Sequence, residues 1–545
     1  MRDPGAMSAP SDSSSGPPAD MPRNVVVVLL DSLNRHLLGS YGGHEFDTPN
    51  LDAFATRATR FSRHVTGSLP CMPARHDILC GALDFLWRPW GSIEIWERSI
   101  TADLRDAGVT TMLVTDHPHL FETGGENYHT DFGGWDYVRG HEGDPWQTWL
   151  DPSWMGVPAA PGGWFVDRRF GDRAPHIDRA YDRSRTHFRE EADYPGPRTM
   201  AAAASWLRAT AAQPQAPPWL LFVDEFDPHE PFDTPARWTD RYDDEPWEGD
   251  RLIWPPYVVG GRSGGHLSDA EGRHIRANYG AKLSMIDHWF GRVIDELDAA
   301  AMWHDTAVIV CTDHGHYLGD ERTIEGDRVD LWGKPMVPQF EPLGHTPLLV
   351  HWPGVTGGGV CDALTTNVDL HATLCDVFEV SRDHRTHGVS LVPLIDGRAS
   401  AVREWAIGGV FGNWVQITDG HVKYARAAAG DNLPLSMWSN RWSTMPLHVR
   451  GVVGLPPPDD RAVLDRMPGS TIPVIRQPFA AGDALPFWVG RGAPDQHHLY
   501  DVDLDPDETE NRVGEPIEGS VQAMLHDALT VLEAPLEQLQ RLGLH

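Results

Sequence analysis

Four short runs, at residues 24–30, 109–114, 219–223 and 307–311, contain no charged side chain and no regular alternation of apolar and polar residues. A strand with one wet face shows that alternation, whereas a strand covered on both faces reads as these do. Such strands belong in a mostly parallel sheet between layers of helices, so the chain is expected to be an α/β protein. Open sheets of this kind bind ligands beyond the carboxyl ends of their strands. The first run ends at Asp31-Ser32, where an oxygen ligand suits a hard divalent cation. A helix N-cap is the competing reading of Asp31. The other runs lead into Thr115-Asp116-His117-Pro118-His119, into Asp224-Glu225-Phe226-Asp227-Pro228-His229, and into Thr312-Asp313-His314-Gly315.

Residues 200–210, rich in Ala, are predicted to be helical. So are residues 279–300, where Leu283, Ile286, Val293, Ile294 and Leu297 recur at helical spacing and mark a face that packs on the sheet. At 545 residues the chain exceeds one small core and suggests a large α/β domain plus a smaller one. A formal charge of -33 argues against nucleic acid or an anionic membrane as partner. A small anionic substrate therefore requires a locally basic pocket. The five cysteines, at 71, 80, 311, 361 and 375, are odd in number and lack metal-ribbon spacing, which excludes a disulfide framework as the organising feature. Residues 1–21, rich in Ser, Pro, Gly and Asp, lack the apolar centre of a signal peptide, and no run approaches the ~18 apolar residues of a membrane span. The expectation is a cytoplasmic protein with a disordered leader over residues 1–22.

The segment Leu69-Pro70-Cys71-Met72-Pro73-Ala74-Arg75 contains C-x-P-x-R, the pattern by which a formylglycine-generating enzyme selects a cysteine for oxidation to an aldehyde. Here the chain resembles the sulfatases. Further motifs in the family's order carry the resemblance: Leu37-Leu38-Gly39-Ser40-Tyr41-Gly42 after Asp31, Asp227-Pro228-His229-Glu230-Pro231-Phe232, Asp313-His314-Gly315, Trp332-Gly333-Lys334, and Leu499-Tyr500-Asp501 through Asn511. The likeness spans residues 24–511. It implies an alkaline phosphatase-like α/β fold, with a large mostly parallel sheet flanked by helices and a smaller C-terminal domain containing an antiparallel sheet.

The resemblance also implies an activity, sulfuric ester hydrolysis. The aldehyde made from Cys71 (formylglycine, or 3-oxoalanine), once hydrated, attacks sulfur through one hydroxyl and expels sulfate through the other, so no second attack on sulfur is needed. Asp31, Asp313, His314 and the modified Cys71 are the implied ligands of one divalent cation. Most members carry Asp-Asn where this chain has Asp313-His314, a form familiar in bacterial phosphonate monoester hydrolases of the same group. Calcium is the family's ion, and the imidazole moves preference toward manganese or zinc. Many members have a second Asp where Ser32 stands. Arg75 is expected to hold the diol or the sulfate oxygens through its planar fork. A helix predicted to open at Arg75 would offer its free amides to an anion. His119 matches a family histidine that reaches the sulfate or the diol. His117 stands in place of a lysine and carries charge only if an anion holds its proton; a metal-binding His pair is the rival reading. His229 is the expected acid/base group, and Lys334 a fixed charge beside the leaving alkoxide.

The expected organisation is a catalytic α/β domain over residues 23–398 and a C-terminal subdomain over 399–545. Residues 133–195 lose all periodicity and hold Trp135, Trp146, Trp149, Trp154 and Trp164. They read as a lid or substrate wall, suited to a sugar or an aryl group, or as plain packing. Residues 427–495 read as a second insertion. Two alternatives stand beside sulfate ester hydrolysis. One is phosphonate monoester or phosphodiester hydrolysis at the same site, favoured by Ser32 and Asp313-His314; the other is a silent, metal-holding binding protein, if Cys71 stays a thiol.

Overall fold

The computed structural model describes residues 21–147, 164–165, 180–181, 183–213, 215–243, 247–248, 251–324, 326–442, 458–483, 485 and 496–544. Residues 1–20 of the expected leader lie outside them, as do most of 148–179 and of 443–457 and 486–495, including Trp149 and Trp154.

All four apolar runs are strands of one eight-stranded sheet. Its members in chain order are β1 (Asn24–Leu30), β2 (Thr59–Val65), β3 (Thr110–Thr115), β4 (Gly134–Tyr137), β5 (Trp219–Glu225), β6 (Thr306–Cys311), β7 (Leu348–His351) and β8 (Val360–Thr366). In space they run β8-β2-β7-β6-β1-β5-β3-β4. β1 pairs in parallel with β5 and β6, and β3 with β5 and β4. β7 alone is antiparallel to its neighbours, β2 and β6.

The absence of alternation in β1 has the expected cause. Val25, Val27 and Leu29 enter one apolar layer with the helix Cys71–Cys80 (α1) and Leu370 and Leu374. Val26, Val28 and Leu30 enter the layer on the other face, under the helices Pro195–Ala211 (α2) and Asp269–Ala299 (α3). α3 begins ten residues before the 279 expected from its apolar spacing. Its first turns are polar, and the start is fixed by a capping box in which Ser268 and Glu271 satisfy each other's backbone amides. α1 begins at Cys71, not at Arg75, so its unpaired amides lie at Cys71 itself.

Past residue 398 the chain builds a four-stranded antiparallel sheet from Ala406–Gly409, Val415–Thr418, Val422–Arg426 and His498–Asp501. A three-stranded sheet, Ser436–Ser439, Pro473–Pro478 and Val463–Arg466, packs against the 87–97 segment, where Trp438 donates its amide to the Trp87 carbonyl at 3.2 Å. All five cysteines are free. Among the described residues no helix is long and apolar enough to cross a membrane.

Leu221 is fully buried at the centre of β5. Leu221→Ala is expected to lower stability by about 2–5 kcal/mol, because the sheet closes only partly over the lost volume; urea unfolding with an unchanged m-value is the measurement.

Candidate active site

β1 and β6 are neighbours, so their carboxyl ends deliver Asp31 and Asp313-His314 side by side. The Asp31 amide donates to the Glu225 carbonyl at the end of β5 (3.0 Å). Ser32, at φ 61°, turns the chain so that its own amide donates to Asp313 Oδ1 (3.1 Å). The Thr312 hydroxyl donates to the Leu30 carbonyl and ties the two ends together. Cys71 arrives on the opening residue of α1, with Sγ 3.4 Å from His314 Nε2.

These side chains form a cup of donors. One ligand atom each from Asp31, Cys71, Asp313 and His314 lies within 4.8 Å of the others, and all four residues are buried. His314 Nδ1 is held by the Gly315 carbonyl at 2.9 Å, which leaves Nε2 as the lone pair facing Cys71 and Asp313. Asp31 Oδ2 is buried without a hydrogen bond. The Arg75 guanidinium leads the contacts that overcome burial and hold the Asp31 carboxyl well below its ordinary range, so it is ionised. Two carboxylates and an imidazole lone pair suit a divalent cation. Burial and the Asp31 charge push the Cys71 thiol up, so as cysteine the side chain keeps its proton.

The sequence reading aims Arg75 at the diol or the sulfate; the structure engages its fork with carboxylates instead. Nε and Nη2 bind Asp224 in bidentate fashion (2.8 and 2.6 Å), Nη2 also lies 2.9 Å from Asp31 Oδ2, and Nη1 donates to Asp313 Oδ2 (2.9 Å) and to the Cys71 carbonyl (3.2 Å). The reason is its place one helical turn beyond Cys71, beneath the ends of three adjacent strands. Asp224, one residue past the apolar run of β5, was findable by the same strand-end rule that marks Asp31.

Lys334 follows the strand Asp327–Gly333. Gly333 has φ 69°, and a Cβ there would stand 2.3 Å from the Tyr257 ring, so the residue before Lys334 has to be glycine. Lys334 Nζ donates to His229 Nε2 (2.7 Å) and to Ser32 Oγ (3.2 Å), and Ser32 Oγ donates to Asp31 Oδ1 (2.8 Å). His229 Nδ1 donates to the Glu230 carbonyl at 2.8 Å. Burial lowers the His229 pKa, whereas Lys334, despite burial, is raised by Tyr257, Cys71, Glu230 and Asp31. The pair therefore stands as a lysine ammonium beside a neutral imidazole.

The two histidines after β3 separate in role. His117 is fully buried, 3.4 Å from Asp31 Oδ2, and neither ring nitrogen has a hydrogen-bond partner. Burial and the Arg75 charge drive its pKa down, so it is neutral. His119 lies between Glu122 (2.9 Å) and Glu142 (3.2 Å), whose charges outweigh burial and raise it to about 10. Glu142 belongs to the expected 133–195 wall, as does His141, 2.7 Å from Asp227. Phe226 sits among the histidines, stacked on His229 at 4.2 Å and edge-on to His117 and His141. Sequence reading passes over Glu142, His141 and Phe226 as contacts of the site, because no spacing links residue 142 to residue 119.

Cys71 at a helix start, beside three further side chains at parallel strand ends that could hold a metal ion, is an arrangement suited to hydrolysis of an anionic ester. The chain belongs to the sulfatase family, whose model matches residues 23–380. It is 26% identical over 443 residues to the choline-sulfatase of Rhizobium meliloti (strain 1021), covering 74% of this chain and 78% of that protein. It is 25% identical over 417 residues to an arylsulfatase of Clostridium perfringens (strain 13 / Type A), covering 71% and 81%. Among solved structures, the phosphonate monoester hydrolase of Agrobacterium radiobacter superposes with a TM-score of 0.59 at 18% identity, over 94% of this chain and 95% of that one.

Two outcomes test the electrostatics. Asp224→Ala leaves the buried guanidinium without its bidentate partner and is expected to cost about 3–5 kcal/mol in urea unfolding. The His119 pKa of about 10 lies above its ordinary 6.5, so its contribution to stability is full below pH 6.5 and disappears as pH rises through about 10. The Tm difference between wild type and His119→Gln should accordingly shrink from pH 7 to pH 10.

Proposed function

We propose that this chain hydrolyses a sulfate monoester at residue 71, matured from cysteine to formylglycine, with one divalent cation held by Asp31, Asp313, His314 and residue 71. The observation that carries the reading is the convergence of Cys71, at the start of α1, with three cation donors from two adjacent strand ends. Family membership and the sulfatase relatives support it. The cation would supply Lewis acidity at the ester oxygens, and the hydrated aldehyde would supply the attacking and releasing hydroxyls.

The chain's own residues do the remainder. Arg75 fixes the Cys71 carbonyl and offsets one of the three negative charges of Asp31, Asp224 and Asp313, and a divalent cation would offset the other two. His117, neutral and unpartnered, and His119, cationic, present nitrogens to the sulfate oxygens. Lys334 carries the proton that the leaving alkoxide needs, and His229, with Nδ1 tied to the Glu230 carbonyl, keeps its Nε2 lone pair on Lys334 Nζ. The substrate class is a small sulfated sugar or aryl sulfate. Within this reading residues 23–398 carry the chemistry and 399–545 brace it. Calcium is the family's ion, and the His314 nitrogen favours manganese or zinc. Maturation by a formylglycine-generating enzyme follows from C-x-P-x-R, and five free cysteines suit the cytoplasm.

Phosphonate monoester or phosphodiester hydrolysis is the second reading, favoured by Asp313-His314 and by Ser32 in place of a second carboxylate. An aryl sulfate, an aryl phosphonate and an aryl phosphodiester are to be compared on one preparation; sulfate turnover should be the largest kcat/KM, and phosphonate dominance would select the alternative. Cys71→Ala should abolish all turnover with the fold intact by circular dichroism. Intact mass should show residue 71 lighter than cysteine by about 18 Da, less when hydrated. Lys334→Ala should reduce kcat by about 10²–10⁴-fold.

A further inference from the structure

The far end of the active-site helix holds a second group of ligating side chains that the hydrolysis does not use. His76 and Cys80 lie one turn apart on α1, and Glu97 approaches from the following segment; one ligand atom of each falls within 4.8 Å of the other two. His76 Nδ1 is engaged with the Ala82 carbonyl at 3.1 Å, so Nε2 is the ring position turned toward the cluster. That nitrogen faces two carboxylates, Glu97 Oε1 at 2.9 Å and Asp84 Oδ2 at 3.4 Å. Asp84 Oδ2 is buried and makes no hydrogen bond. An imidazole lone pair cannot face two acceptor oxygens unless a cation stands between them, either a proton or a metal ion. A proton would leave the Cys80 thiol as no more than a hydrogen-bond partner of the His76 imidazolium, whereas a metal ion would take its sulfur as a ligand.

A cavity of about 220 Å³ reaches this group from outside, lined by Cys80, Trp96, Glu97, His384 and Arg385 and walled on its far side by the 468–472 turn of the C-terminal insertion. An ion thus has both a ligand set and a path to it. We propose that His76, Cys80 and Glu97 form a zinc site, with the fourth position open to the cavity and the Ala82 carbonyl orienting the His76 ring through Nδ1. Thiolate, imidazole and carboxylate are the ligands zinc takes, and a hard cation such as calcium would leave the sulfur unused. Charge is conserved on binding: Zn²⁺ enters as one proton leaves the His76 imidazolium and one leaves the Cys80 thiol. Without an ion, burial pushes that thiol up to about 11. Arg385 donates to Asp84 Oδ1 at 3.0 Å, and Arg88 lies 3.6 Å from Glu97, so the remaining carboxylate charge is already balanced.

The test uses the full-length Cys71→Ala protein, stripped with chelator, so that residue 71 contributes no sulfur. Titration with Co²⁺ should produce a thiolate-to-cobalt charge-transfer band, absent after the further substitution Cys80→Ala and weakened by Glu97→Gln, which keeps the thiol and serves if the alanine variant does not fold. Competition with Zn²⁺ should show apparent affinity rising about 100-fold per pH unit while two protons are displaced. No band in Cys71→Ala, or an equal band after Cys80→Ala, would overturn the site and leave His76 as an imidazolium in an ion-pair cluster.

Discussion

Everything at the site depends on one buried cation, the Arg75 guanidinium. Three carboxylates, Asp31, Asp224 and Asp313, stand at the ends of adjacent strands with no water around them. Without a fixed counter-charge they would repel one another and take up protons, and an acidic cup could not receive an anion. Arg75 meets all three because its planar fork has several donor directions and cannot lose its proton. Its fifth contact, with the Cys71 carbonyl, ties this charge balance to the reactive residue one turn earlier on the same helix.

A chain with a formal charge of -33 nonetheless gathers three positive side chains at this site. Positive charge is placed by the backbone: Arg75 by α1, Lys334 by a glycine-ended strand, His119 by the loop after β3. Each is held by acidic partners. Glu142 and Glu122 keep His119 charged, and Tyr257, Glu230 and Asp31 keep Lys334 charged. Ser32 then relays between Lys334 and Asp31, a place that a second aspartate would fill with negative charge.

The C-terminal sheet contributes from behind. Lys423 in that sheet binds Glu341 and Glu508, and the Glu341 amide donates to Glu508. This fixes the 341–344 turn, whose Leu343 carbonyl accepts the Gly315 amide next to His314. A Cβ at Gly315 would stand 1.9 Å from the Pro342 carbonyl, so the turn and the cation loop touch backbone to backbone. The L-Y-D to Asn motif, which supplies Glu508, thereby acts on a residue almost two hundred positions away.

Local pattern alone determined four of the eight strands of the large sheet, its mostly parallel type and the residue kinds at those strand ends, since covering both faces of a strand leaves a direct mark on composition. It also pointed, through short motifs and the family resemblance they carry, to Cys71, Asp31, Asp313, His314, His229 and Lys334 as candidates for one site. What it could not express was the partner of each group. The role of Arg75 passed from anion to carboxylates, and His119 gained a clasp from residue 142. The helix start at Cys71, rather than Arg75, and the early start of α3 turned on capping and burial. Only the tertiary structure decided these, because electrostatic energy depends on distance and burial between residues tens to hundreds of positions apart, and neither quantity is written in their spacing.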